Sequence, residues 1–162
     1  MHPMFVHLRI HSEFSVIDGT MRVDELVKAA RLDQQPALAI TDLGNLFGAI
    51  KFYRAAREQG VKPILGAEIL LQGLGSDPEA LSRVLLLVQG RQGYLNLSEL
   101  LARAWTRGLV KAQAVVQWNW LCELSDGLIL LSGAQAGPVG IDLGSQQNRI
   151  NGRRVHLPLI RL

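Results

Sequence analysis

Apolar residues fall along the chain in alternating short runs and helical stripes. Residues 4 to 10 place Phe5, Val6, Leu8 and Ile10 in a strand-forming stretch, and His7, Arg9 and His11 alternate with them on one face at period two. Residues 22 to 33 carry Val23, Leu26, Val27 and Ala30 on one stripe, with Asp24 and Lys28 one turn apart, and predict a helix. Residues 37 to 41, after Pro36, read as a buried strand. Residues 45 to 59 predict a second helix with Leu46, Ala49, Ile50 and Tyr53 inward, stopped by Gly60. A third strand over 62 to 71, a loop over 73 to 79 and a fourth buried strand over 83 to 88 follow. Residues 94 to 107 set Leu97, Leu100, Leu101 and Ala104 in helical register; 118 to 124 read as a short helix and 127 to 132 as a fifth strand. Strand–helix units joined by short loops predict an α/β fold with a parallel sheet and right-handed crossovers. Spacing alone leaves an open sheet and part of a barrel equally open.

Bulk properties narrow the classes. A chain of 162 residues is one domain at most and can bury a real core. Hydrophobic content of 48% with 19% charge marks a globular, soluble protein. The longest purely apolar run, 84 to 88, is far too short for a bilayer, and no signal peptide is visible. The single Cys122 excludes an internal disulfide framework, fits a reducing cytoplasm and, beside Leu121, reads as core. The net charge of +3 sits in the tail: residues 1 to 140 balance thirteen Lys+Arg against thirteen Asp+Glu, while Arg149, Arg153, Arg154 and Arg161 face only Asp142. The body therefore exerts no bulk pull on nucleic acid. Gly44-Asn45 and Gly73-Leu74-Gly75 are turns, since no Lys-Ser/Thr follows as a phosphate loop requires. Trp105, Trp118 and Trp120 are read as core or groove packing.

Chemistry in parallel α/β folds collects where strands end. His11, Asp42 and Glu68 fall at or just past the ends of predicted strands, and Asp18 lies in the loop after the first. Three carboxylates and an imidazole in one pocket are a donor set for Mg²⁺, Mn²⁺ or Zn²⁺, and paired metals activate water against a phosphodiester. His11, Asp18 and Glu68 are the candidate metal ligands. A half-buried strand with a polar face explains the first stretch equally well, and His7 is assigned to packing or bonding that strand.

His7-Leu8-Arg9-Ile10-His11-Ser12 resembles the opening motif of the polymerase and histidinol phosphatase (PHP) domain. Glu13-Phe14-Ser15-Val16-Ile17-Asp18-Gly19 is close to the version at the N-terminus of the bacterial replicative polymerase alpha subunits. Ala37-Leu38-Ala39-Ile40-Thr41-Asp42, Lys62-Pro63-Ile64-Leu65-Gly66-Ala67-Glu68, Gly93-Tyr94-Leu95-Asn96-Leu97 and Gly127-Leu128-Ile129-Leu130-Leu131-Ser132-Gly133 match the same family in order. The resemblance implies a PHP-type distorted β/α barrel (TIM-like), incomplete here. It implies metal-dependent phosphoester hydrolysis or 3′-end proofreading in intact members. Four positions depart from that pattern. Arg9 stands at the first histidine of an H-x-H pair, Leu43 follows Asp42 in place of histidine, Arg83 stands near another histidine, and Ala134 near a cysteine. Guanidinium, leucine and alanine offer no ligand atom. The surviving acids are then expected to pair with Arg9 and Arg83 in a metal-free plug.

Residues 1 to 140 are assigned to the PHP segment and 141 to 162 to a divergent basic tail, consistent with a truncated or frameshifted coding sequence. The resemblance implies a scaffold within a DNA-replicating polymerase (a nucleotidyltransferase) that docks the proofreading exonuclease subunit and other replicase subunits. It implies DNA contact through the parent polymerase, a cytoplasmic location and no membrane. The fragment itself is expected to be non-catalytic and to need no cofactor. The alternative is a phosphoesterase or 3′-5′ exonuclease that uses Mg²⁺, Mn²⁺ or Zn²⁺ at a reduced site.

Overall fold

The structure is a computed structural model that describes residues 5–74, 78–133 and 137–138. Its elements run α1 (Val23–Leu32), β1 (Ala37–Ile40), α2 (Ala49–Glu58), β2 (Lys62–Gln72), β3 (Leu81–Val88), α3 (Gly90–Arg107), β4 (Leu109–Val110), β5 (Gln113–Gln117), α4 (Trp118–Glu123) and β6 (Leu128–Leu131). Helix α1 buries Val23, Leu26, Val27 and Ala30, the stripe read from the sequence. Its dipole is matched by Asp24 and Glu25 in the first turn and Arg31 in the last. Helix α2 starts four residues later than expected and buries Ala49, Phe52 and Ala56, so Ile50 and Tyr53 face solvent rather than the core. No described helix is long and apolar enough to cross a membrane.

The α/β class holds, but the sheet is mixed rather than parallel. β2 is its hub. One edge of β2 pairs in parallel with β1 over residues 62 to 65 and with β5 over 70 to 72, while the other edge runs antiparallel to β3 over 66 to 72. β3 pairs antiparallel with β6, and β4 with β5. The reason lies in loop length. The link between β2, which ends at Gln72, and β3, which starts at Leu81, is too short for a crossover, so the two strands can only fold back as a hairpin. Among the described residues the sheet is open, with β4 and β6 at its edges.

Two other expectations fail for local reasons. Residues 5 to 10 form no strand among the described residues. Ala39 N–H donates to His7 C=O and Thr41 N–H to Ile10 C=O, so three residues of the N-terminal stretch match two of β1 and no regular ladder can form. The Thr41 hydroxyl accepts Ile10 N–H at 2.9 Å in place of a ladder bond. The β4–β5 hairpin had no sequence signal. Its two-residue turn, Lys111-Ala112, has both φ values positive, at 49° and 65°, a type I′ geometry that usually selects Asn-Gly. Cys122 is exposed rather than in the core.

Two cores flank the sheet. One joins α1 and α2 to β1 through Val27, Leu38, Ile40 and Phe52. The other joins α3 and α4 to β2, β3, β5 and β6 through Ile69, Leu86, Leu97 and Leu100. α3 approaches the start of β6 so closely that a Cβ on Gly93 would collide with the Gly127 carbonyl. Gly93→Ala is therefore expected to cost about 1–3 kcal/mol, because backbone rather than a flexible side chain must yield. Thermal melts check this, and an unchanged midpoint would refute the close approach.

Candidate functional site: a buried carboxylate held by cations

Between residues 65 and 70 the first edge of β2 changes partner from β1 to β5. The chain after β1 fills the gap. Glu68 N–H donates to Asp42 C=O and Gly44 N–H to Glu68 C=O, leaving Leu43 as an isolated parallel bridge to Glu68. Alternation on β2 turns Ala67, Ile69 and Leu71 toward the α3 core and Glu68 toward the other face. Glu68 thus lies inside β2, four residues before its end, and not at the strand terminus that the sequence implied.

Glu68 is 1% exposed. Its Oε2 accepts from Arg9 Nε at 2.7 Å and lies 3.0 Å from His11 Nε2. Its Oε1 accepts from Arg9 Nη2 at 3.2 Å and Arg83 Nη1 at 3.3 Å. Arg83 reaches it from β3, where its pairing with Leu70 makes it a diagonal neighbour of Glu68 on the same face. The other nitrogen of His11, Nδ1, lies 2.9 Å from Asp18 Oδ1, and Arg83 Nη1 lies 3.7 Å from Asp18 Oδ2. Arg9, His11, Asp18, Glu68 and Arg83 therefore form one cluster of two guanidiniums, two carboxylates and an imidazole. Burial pushes the Glu68 carboxyl up, but the Arg9 hydrogen bond and charge, then those of His11, outweigh it and hold the carboxyl below its ordinary value. The same bond raises Arg9 against its own partial burial.

Asp42 does not join this cluster, contrary to the expected four-group pocket. It is 2% exposed and accepts from Ser12 N–H at 2.7 Å, Ser12 Oγ at 2.8 Å and Ser15 Oγ at 2.8 Å. Ser15 Oγ in turn accepts Leu43 N–H. Asp42 thus ties the loop after the N-terminal stretch to the end of β1. Gly19 completes that loop where any Cβ would strike the Ser12 carbonyl. Ser12 and Ser15 are the residues that sequence reasoning missed; short hydroxyl side chains beside the Asp18 loop were the available signal. Leu43 lines an apolar hollow with Phe14 and Val16, and His7 is exposed, edge-on to Phe5 at 4.6 Å. Ala134 and the 141 to 162 tail lie outside the described residues.

Removing the Glu68 charge strands two guanidiniums. Glu68→Gln is expected to cost roughly 2–3 kcal/mol at pH 7. Since the folded-state value is the lower one, wild type holds this advantage above the unfolded carboxyl pKa of about 4.3 and loses it as pH falls through the folded value. Denaturant melts of both proteins from pH 7 into acid test this; a gap independent of pH would count against the ion pair.

Comparisons with known proteins agree with the resemblance read from the sequence. The family model described as PHP domain matches residues 7–154. DNA polymerase III subunit alpha of Vibrio cholerae is 46% identical over 147 residues, covering 90% of this chain and 13% of that protein. The Escherichia coli K12 subunit of the same name is 46% identical over 143 residues, covering 87% and 12%. The Caulobacter vibrioides subunit is 42% identical over 139 residues, covering 83% and 12%. The chain thus spans 12–13% of the length of these relatives. Among solved structures, an amidohydrolase from Chromobacterium violaceum aligns over 61% of this chain and 32% of its own with a TM-score of 0.47 and 21% identity. The chain belongs to the PHP domain family.

Proposed function

We propose that this chain is the PHP segment of a replicative DNA polymerase alpha subunit and acts as a metal-free scaffold that docks the proofreading exonuclease subunit. The observation that carries the metal-free part is the occupancy of Glu68. A carboxylate offers about four lone-pair sites. Arg9 takes two, and His11 and Arg83 take the others. A divalent cation at Glu68 would have to displace a guanidinium that is already charge-paired, and Arg9 itself can never ligate. The family implies Mg²⁺, Mn²⁺ or Zn²⁺, and this donor set does not fit one.

The same contacts suit a scaffold. Arg9 and His11 fasten the N-terminal stretch to β2, and Arg83 fastens β3 to the same atom pair, so one buried anion ties three segments. Identity of 42–46% to subunits named DNA polymerase III subunit alpha supports a place in DNA replication, and with it a cytoplasmic location and contact with other replicase subunits and DNA through the parent polymerase.

Elemental analysis of the purified chain, equilibrated with Mn²⁺ and Zn²⁺ and then freed of excess, tests the reading. Near-zero metal per chain is expected. Tightly held metal that is lost in Glu68→Gln would sink the metal-free scaffold and favour a phosphoesterase or 3′-5′ exonuclease built on His11, Asp18 and Glu68.

A further inference from the structure

Residues 5 to 10 lie across the outer edge of β1 and are held there lightly. None of their side chains is buried: Phe5 is 60% exposed, Leu8 38% and the Arg9 side chain 58%, while Val6 and Ile10 are half-buried. Ile10 packs against the α1–α2 core. The main-chain bonds to β1 run from Ala39 N–H to His7 C=O and from Thr41 N–H to Ile10 C=O, both at 2.9 Å. The Thr41 hydroxyl adds a bond from Ile10 N–H, and Gln35 Oε1 stands 3.4 Å from His7 N, long for a hydrogen bond. With so little apolar area removed from water, the segment gains little from the hydrophobic effect.

Its strongest tie is Arg9. The guanidinium gives Glu68 two hydrogen bonds, at 2.7 and 3.2 Å, and makes the one ion pair of residues 5 to 10 among the described residues. A charge-assisted, two-pronged contact of this kind is about twice as strong as a neutral hydrogen bond. Immediately beyond, the chain is fixed. His11 spans Asp18 and Glu68, and Ser12 gives Asp42 its N–H at 2.7 Å and its hydroxyl at 2.8 Å. A lightly held segment thus meets a firm anchor between His11 and Ser12. What the segment covers is firm as well. β1 is buried along its whole length, Ala37 to Ile40, and carries no charge and no proline. A strand edge of that composition pairs readily with another chain when bare, and natural sheets cover such edges.

We infer that residues 5 to 10 form a strap latched by Arg9, which opens as a unit about the His11 and Ser12 anchor while the rest of the fold stays intact. Release breaks both main-chain bonds, bares the β1 edge and leaves Glu68 with His11 and Arg83. Closed, the strap guards a strand edge; open, it presents that edge for pairing. Opening of this kind occurs where buried contacts are few, and it precedes global unfolding.

Residue-resolved hydrogen exchange of the full 162-residue chain at constant pH tests the strap. Alternation along the strand aims the N–H groups of Ala39 and Thr41 at the strap and those of Leu38 and Ile40 at β2, so neighbours in one stretch report on different events. Corrected for intrinsic rates, Ala39 and Thr41 are expected to exchange about tenfold or more faster than Leu38 and Ile40 in wild type. Their denaturant dependence is also expected to be smaller, because opening the strap exposes little surface. Ile69→Val, in the α3 core, is expected to speed exchange in the β2–β3 ladder about two- to tenfold and to leave Ala39 and Thr41 unchanged, since that core survives strap opening. Arg9→Gln is expected to speed Ala39 and Thr41 about tenfold or more, through loss of a charge-assisted pair. Equal protection and equal denaturant slopes at the four amides would overturn the strap. So would a rise at Ala39 and Thr41 in Ile69→Val that equals the rise in the ladder. Unchanged exchange at these two amides in Arg9→Gln would overturn the latch. The wild-type profile and Ile69→Val decide between strap and global opening if Arg9→Gln does not fold.

Discussion

A carboxylate with 1% exposure in the middle of a sheet is the constraint around which this structure is arranged. Taking Glu68 out of water costs several kcal/mol unless its charge is matched and its lone pairs are filled. Three residues from two other segments meet that demand: Arg9 and His11 from the N-terminal stretch, Arg83 from β3. Arg9 fills only two of the carboxylate's lone-pair sites and His11 and Arg83 fill the others, and together they pin the N-terminus to the sheet without a regular β-ladder. The N-terminal stretch is thus held by ions and a side-chain hydroxyl beside the His7 and Ile10 backbone bonds, where a strand would use a full ladder.

Glu68 can occupy that position because of how β2 is used. The strand is long enough for its first half to pair with β1 and its last residues with β5 along the same edge. The gap between these partners admits the loop after β1, and the chain there brings Asp42, Leu43 and Gly44 beside Glu68. Asp42 then spends its oxygens on Ser12 and Ser15. Two acids that look equivalent in sequence therefore have different tasks. Asp42 fixes backbone, while Glu68 gathers charge.

Much of the framework was legible in the chain. The stripe Val23, Leu26, Val27, Ala30 marked α1, and the run Leu97, Leu100, Leu101, Ala104 marked α3, because a 3.6-residue period survives any tertiary context that buries one face. The roles of Arg9 and Arg83 were also legible, since a residue that cannot ligate, placed among acids, has few alternatives to pairing with them. The first strand was misread because its alternation is genuine while its partner's register is not: three residues must match two. The β4–β5 hairpin left no trace because Lys111 and Ala112 adopt a turn that their side chains disfavour.

The sequence by itself determined the α/β alternation, the helical faces, the PHP resemblance and the inability of Arg9 to ligate a metal, all of which rest on local period or on residue chemistry. Only the tertiary structure decided which edge of β2 each strand takes, and with it which carboxylates meet. Strand order and register depend on loop lengths and on pairings across tens of residues, and a period-two pattern says which face a residue occupies without saying what stands opposite.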